Sequence, residues 1–256
     1  MRKVTLQVAM GDLSSYPPVA AFLDERFEEL GQRTRMIVGC CLFGHDRWMA
    51  LHGREAEVGR ARRKRRLQAI DDLLSSIGGV GVLVYADLPG ELLTPHEIDW
   101  TTDIPRMSRI DNVWSQLTLS AVFASLAWLQ HSGVSVGAVN LYYDRRDLTA
   151  AHRTQFENIL RQILPETAKE ARTEYSTLFK ADARELRFDT IRGVKKPVSW
   201  ALADAFQCGT DLAHHFCAQA SAVIERGSDG RTLVRDHTKV VSAMASKFRQ
   251  GSDETS

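Results

Sequence analysis

Hydrophobic positions along this chain follow two periods, and the switches between them mark out its elements. Val4-Thr5-Leu6-Gln7-Val8-Ala9-Met10-Gly11 is an apolar run that ends at Asp12. Met36 to Phe43 is a second, and Val80-Gly81-Val82-Leu83-Val84-Tyr85-Ala86 is a third that ends at Asp87. A fourth, Val134 to Tyr143, ends at Asp144, and no Asp, Glu, Lys or Arg occurs from Asn112 through Tyr143. Short apolar runs of this kind predict strands buried on both faces. A shorter strand is expected at Arg47 to His52. Alternation of Leu186, Phe188 and Thr190 with Arg187 and Asp189 predicts a strand or edge ribbon over 185–191.

Helical spacing fills the intervals. Val19, Phe22, Phe27 and Leu30, after Pro17-Pro18 and before Gly31, predict a helix over 17–31. Leu67, Ile70, Leu73, Leu74 and Ile77 share one face of a helix predicted over 58–77, which Gly78-Gly79 stops. The uncharged stretch 113–131 predicts a helix buried inside an α/β domain. Ser115, Gln116, Thr118, Ser120 and Ser125 interrupt it, and no basic cluster flanks it, which argues against a membrane span. Further helices are predicted over 149–164, 165–183, 197–217 and 232–248. Pro89, Pro95 and Pro105 make 88–112 a loop insertion. On the helix opened by Pro197, the stripe Val198, Leu202, Ala205, Gly209, Leu212 and Phe216 is apolar, while Asp204, Gln207, Asp211 and His215 share another face.

Three strands that each deliver one acid suggest a shared purpose. If they are parallel neighbours, Asp12, Asp87 and Asp144 lie along one sheet edge, where open α/β sheets place their sites. Like charges gathered there repel unless cations neutralise them, so the pattern points to a divalent metal. Each acid also has a bland reading as a turn former, a helix cap or half of an exposed ion pair.

Composition narrows this picture without deciding it. The 256 residues are 44% hydrophobic and 25% charged, ordinary for a globular chain, and the formal net charge of +1 gives no global pull on nucleic acid. Any such binding needs a local patch. Arg60-Ala61-Arg62-Arg63-Lys64-Arg65-Arg66 places six cations in seven residues, and Lys195-Lys196 adds two before the last core helix. Arg62, Arg63, Lys64, Arg65, Arg66, Lys195 and Lys196 are therefore candidate phosphate contacts, against the alternative of a solvated helix face. Four cysteines without a CxxC pair, and a start that moves straight into a strand, lead us to expect a reduced, cytoplasmic setting with no signal peptide.

The order of elements and three short segments carry a resemblance. Met10-Gly11-Asp12-Leu13-Ser14-Ser15, Leu141-Tyr142-Tyr143-Asp144-Arg145-Arg146 and Trp200-Ala201-Leu202-Ala203-Asp204 stand at the strand-one, late-strand and last-helix positions of a pattern. In that pattern the first segment reads Asp-Glu-Ser-Gly and the last Leu-Gln-x-Ala-Asp. The chain resembles the ribonuclease H-like superfamily of metal-dependent nucleases and transposases, and within it a widespread prokaryotic family of ribonuclease H-like domains. Leu13 stands where that family has its Glu.

The resemblance implies an α/β fold with a ribonuclease H-like mixed central sheet flanked by helices over 1–220. A helical extension over 221–249 and a disordered tail over 250–256 would follow. It implies a two-metal site for Mg²⁺ or Mn²⁺ in which Asp12, Asp144, Asp204 and Asp87 are catalytic. Asp12, Asp144, Asp204 and Asp211 would be the metal ligands, and His215 could shuttle a proton. The expected activity is hydrolysis of phosphodiester bonds in RNA or DNA, in a phage-defence or mobile-element context. The alternative is a catalytically degenerate subunit that binds nucleic acid or protein within a larger assembly, which the missing Glu favours. A small-molecule enzyme on another doubly wound sheet is a third class, though no Gly-rich phosphate loop or nucleophile elbow occurs.

Overall fold

A computed structural model describes residues 19–44, 47–54, 57–59, 67–89, 109–131, 138–144, 187–196, 203–229 and 231–242. It opens on strand β1 (Val19–Leu30), where the spacing of apolar residues predicts a helix. Residues 19–24 are buried without a break, Ala21 and Leu23 on one side of the sheet and Ala20 and Phe22 on the other. Burial on both sides suits a strand inside a sheet rather than a helix with one wet face. Gly31, at φ +65°, then turns the chain so that Leu30 pairs with Arg33. The glycine read as a helix cap is a hairpin turn. Antiparallel pairing with β2 (Arg33–Phe43) overrides the helix-favouring Ala, Leu and Glu of this segment.

Beyond β2, the strand expected at Arg47 to His52 is instead a 3₁₀ turn, Trp48–Leu51, whose period of three buries Trp48 and Leu51 together. Helix α1 (Leu67–Ile77) buries Ile70, Leu73, Leu74 and Ile77, the face read from the sequence. Strand β3 (Val80–Pro89) runs two residues past Asp87, so that acid lies within a strand and not at its tip. Helix α2 (Arg109–His131) contains the uncharged stretch, and no described helix is long and apolar enough to cross a membrane. Strand β4 (Ala138–Asp144) ends on Asp144 as expected, and β5 (Arg187–Val194) follows at the sheet's edge.

Two corrections concern the last third. Helix α3 (Ala205–Ala218) starts only after Asp204, whose ψ of 174° is extended, so the helix predicted from Pro197 begins later. After α4 (Ala220–Arg226), residues read as the start of a helix form strand β6 (Thr232–Asp236), and helical geometry resumes only at Thr238. The segment beyond 220 is thus not purely helical, since it supplies a strand to the central sheet. The predicted strand at 4–11, Asp12, the basic run 60–66, most of the 88–112 loop, the helices over 149–183 and the tail lie outside the described residues.

The six strands make one mixed sheet in the order β5-β4-β1-β2-β3-β6. β1, β2 and β3 form an antiparallel meander, β4 pairs parallel to β1, β5 parallel to β4, and β6 parallel to β3. Only β2 therefore runs against the rest. Trp114, Leu117, Ala121 and Phe123 of α2 cover one face of the sheet. On the other face lie Ile70 and Leu74 of α1, Cys208, Leu212 and Phe216 of α3, and Val223 of α4. The result is an α/β architecture with helices on both sides of the sheet, and α3 crosses above β1 and β2.

Candidate functional site

Alternation along a strand decides which acids can meet. On β1, Phe22 packs beneath α3, so Asp24 points to the same side; on β4, Tyr142 does, so Asp144 also does. β1 and β4 are parallel neighbours with Leu23 opposite Tyr143, which sets Asp24 and Asp144 at the next level of adjacent strands. Backbones of such strands lie about 5 Å apart. Two carboxylates thus stand side by side at the end of β4, under α3.

Each has a basic side chain of the same chain as its partner. Asp24 is buried, and its Oδ2 meets Nδ1 of His214 on α3 at 2.8 Å. The Cys217 thiol donates to the Asp24 carbonyl oxygen at 3.1 Å. The bond to Asp24 holds His214 protonated above its ordinary range, and the charges of Asp24 and Asp211 act the same way against burial and Lys196. Asp144 instead pairs with Lys196, just beyond β5, at 3.3 Å. Asp211 is buried one helical turn before His214 and His215, with Oδ1 at 3.2 Å from His215 Nε2. That nitrogen is buried without a hydrogen bond. The next β1 residue, Glu25, faces the other side and accepts from the Trp114 indole at 3.2 Å.

The residues singled out in the sequence divide accordingly. Asp144, Asp211 and Lys196 come together with Asp24 and His214. Asp204 is exposed at the N-cap of α3, where its side chain accepts from the Gln207 N–H at 2.8 Å while Gln207 Oε1 accepts from the Asp204 N–H at 3.0 Å. Seven residues of helix, about 10 Å, separate Asp204 from Asp211. Lys195 is exposed, and its carbonyl accepts from Gln207 Nε2 at 2.9 Å. Asp87 is bound through both oxygens to Arg35, at 2.6 and 2.9 Å, and Arg35 also covers the Tyr85 ring. Its pairing with Arg35, against Gly39 for Asp24, places it two strands across and four residues along from Asp24. That is about 10 Å by about 13 Å. Asp87 therefore stands apart from Asp24 and Asp144. Asp12, Arg62, Arg63, Lys64, Arg65 and Arg66 lie outside the described residues.

Sequence reasoning missed Asp24. Asp24 follows the apolar stretch Val19 to Leu23, the same signature that singled out Asp12, Asp87 and Asp144, and reading 17–31 as a helix concealed it.

Hard carboxylate oxygens suit Mg²⁺ or Mn²⁺, whereas an imidazole nitrogen suits softer transition metals better than Mg²⁺. The unbonded His215 nitrogen beside Asp211 is a donor that such an ion could use. Among the described residues, no three His, Cys, Asp or Glu side chains are gathered closely enough to hold an ion as they stand. Asp24 and Asp144 would have to exchange their present partners for it. No family model matches the chain, and no curated protein matches its sequence.

Proposed function

We propose that this chain is a divalent-metal-dependent nuclease of ribonuclease H-like fold, hydrolysing phosphodiester bonds of RNA or DNA. One observation carries the reading: Asp24 and Asp144 stand level on adjacent parallel strands, and Asp211 faces the same neighbourhood from α3. An antiparallel meander extended from its first strand by two parallel strands, and closed by an acid-bearing helix, supports the same reading. So does Asp24-Glu25, which supplies on β1 the adjacent Asp and Glu that Asp12-Leu13 lacks. We assign the strand-one role to Asp24 in place of Asp12, and the helix role to Asp211 ahead of the capping Asp204.

Asp24, Asp144 and Asp211 would hold Mg²⁺ or Mn²⁺, with His215 adjoining. Such ions activate a water and stabilise the leaving oxygen of a phosphodiester. The chain's own contribution is to aim the carboxylates from rigid elements, two strands and a helix. Lys195 and Lys196 lie where a nucleic-acid backbone would approach.

A second reading is a degenerate subunit that binds nucleic acid or protein in a larger assembly. It is favoured by His214 and Lys196, which already engage the paired carboxylates. Cleavage of labelled single- and double-stranded RNA and DNA with Mg²⁺ or Mn²⁺ separates the two. Wild type should cut at least one substrate, and Asp24→Asn and Asp144→Asn should each lower the rate at least about a hundredfold while keeping native circular dichroism. Binding without cleavage by the wild-type protein would select the second reading.

A further inference from the structure

Where α3 begins, Tyr142, Phe206 and Arg192 bring together a ring, a hydroxyl and a guanidinium that the proposed chemistry does not use. We propose that this cluster seats an unpaired base of a single-stranded nucleic acid. The inference names a substrate class and rests on the nucleic-acid part of the readings above, not on a bound metal. Phe206 lies in the first turn of α3, just after the cap made by Asp204 and Gln207, and is half-buried. Trp48 and Tyr142 pack against its ring, with centroids 4.7 and 4.8 Å away. The Arg192 guanidinium lies over the same ring at 5.6 Å. Arg192 is exposed, and no carboxylate pairs with it among the described residues, so its charge is left for a ligand. Tyr142 is only 5% exposed, yet its hydroxyl makes no hydrogen bond to a described residue. A hydroxyl so placed costs stability until something bonds it. Burial raises its pKa against the pull of Arg192, so it stays protonated and can donate. Single-stranded sites stack bases on aromatic rings and guanidinium planes, whereas a duplex hides its bases from both. Arg192 pairs with Tyr142 in the sheet, two residues before Val194 pairs with Asp144. The cluster therefore lies about 7 Å along β4 from that acid, the spacing of two bases in a stacked strand.

The test uses the full chain in EDTA, so that neither cleavage nor a metal ion enters. Fluorescence anisotropy follows a short labelled oligo-dA and a wholly abasic strand of equal length, which keeps every phosphate. Wild type should bind oligo-dA at least about fivefold more tightly than the abasic strand, the least that one stacked base is worth. Arg192→Lys keeps the charge without the plane, and Phe206→Leu keeps an apolar side chain without the ring. Each should lose that preference while binding the abasic strand as wild type does. Tyr142→Phe, which removes only the hydroxyl, should weaken oligo-dA binding by about two- to tenfold. Arg192 is on the surface, so its variant stays informative even where Phe206→Leu fails to fold. Equal wild-type affinity for the two strands, an unchanged preference in Arg192→Lys, duplex DNA bound as tightly as oligo-dA, or displacement of oligo-dA by an equal concentration of adenosine monophosphate would overturn the inference. Any of these alongside metal-dependent cleavage leaves the nuclease reading standing. Failure to bind any strand, together with failure to cleave, would overturn both.

Discussion

At Gly39 of β2 a Cβ would lie 2.6 Å from the Cys217 sulfur, so only glycine lets α3 settle this close to the sheet. The closeness seats Cys217 on the Asp24 carbonyl and brings His214 to the carboxylate beside it. None of the four cysteines is in a disulfide, and all are buried. Burial pushes the Cys40 thiol up to about 12 and those of Cys41 and Cys217 well above their ordinary value. Because the thiolate is the reactive form, a raised value means less of it at any working pH. Iodoacetamide at pH 8 should therefore leave the native protein almost unlabelled and modify all four sites in denaturant, as read by mass spectrometry. Rapid labelling of any one in the native state would contradict the packing around it. Asp144 was readable because its strand is long, uncharged and β-branched. Asp24 was not, because Ala20, Ala21, Leu23 and the acids after it carry helix propensity, and only long-range pairing reveals the strand.

Elements fared according to how much of their signal is local. α1 and α2 advertise themselves by a one-sided apolar stripe and by a long uncharged stretch. β6 does not, since five residues leave little pattern and its strand geometry comes from lying beside β3. The start of α3 turns on a similar point. Asp204 and Gln207 fit one helical face by spacing, yet together they form a reciprocal cap, with the helix beginning one residue later. Asp204→Ala should cost about 1 kcal/mol in urea unfolding, the usual worth of such a cap. Its effect on Mn²⁺ affinity should be small beside the loss caused by Asp24→Asn. Equal loss in the two variants would return Asp204 to the proposed metal site.

Across the whole molecule, the sheet is assembled from distant parts of the chain. β1 pairs with β4 more than a hundred residues later, and β6 covers the outer edge of β3. The class of fold was legible from alternating strands and helices, whereas the order of strands was not, because nothing in a strand's own residues names its neighbour. Truncation after Gly227 would remove β6 and leave the β3 edge unpaired. It would also remove Thr238, whose hydroxyl accepts from the Asp87 backbone at 3.0 Å. Such a chain should sediment as aggregates, where the intact chain gives a discrete species. The pairing of β1 with β4 bears equally on synthesis. A ribosome must add some 120 residues after Asp24 before Asp144 exists, and some seventy more before His214 can fold over Asp24. A nascent fragment that stops short of α3 therefore carries separated acids and no assembled cluster, and whatever chemistry the cluster performs is withheld until His214 has been made.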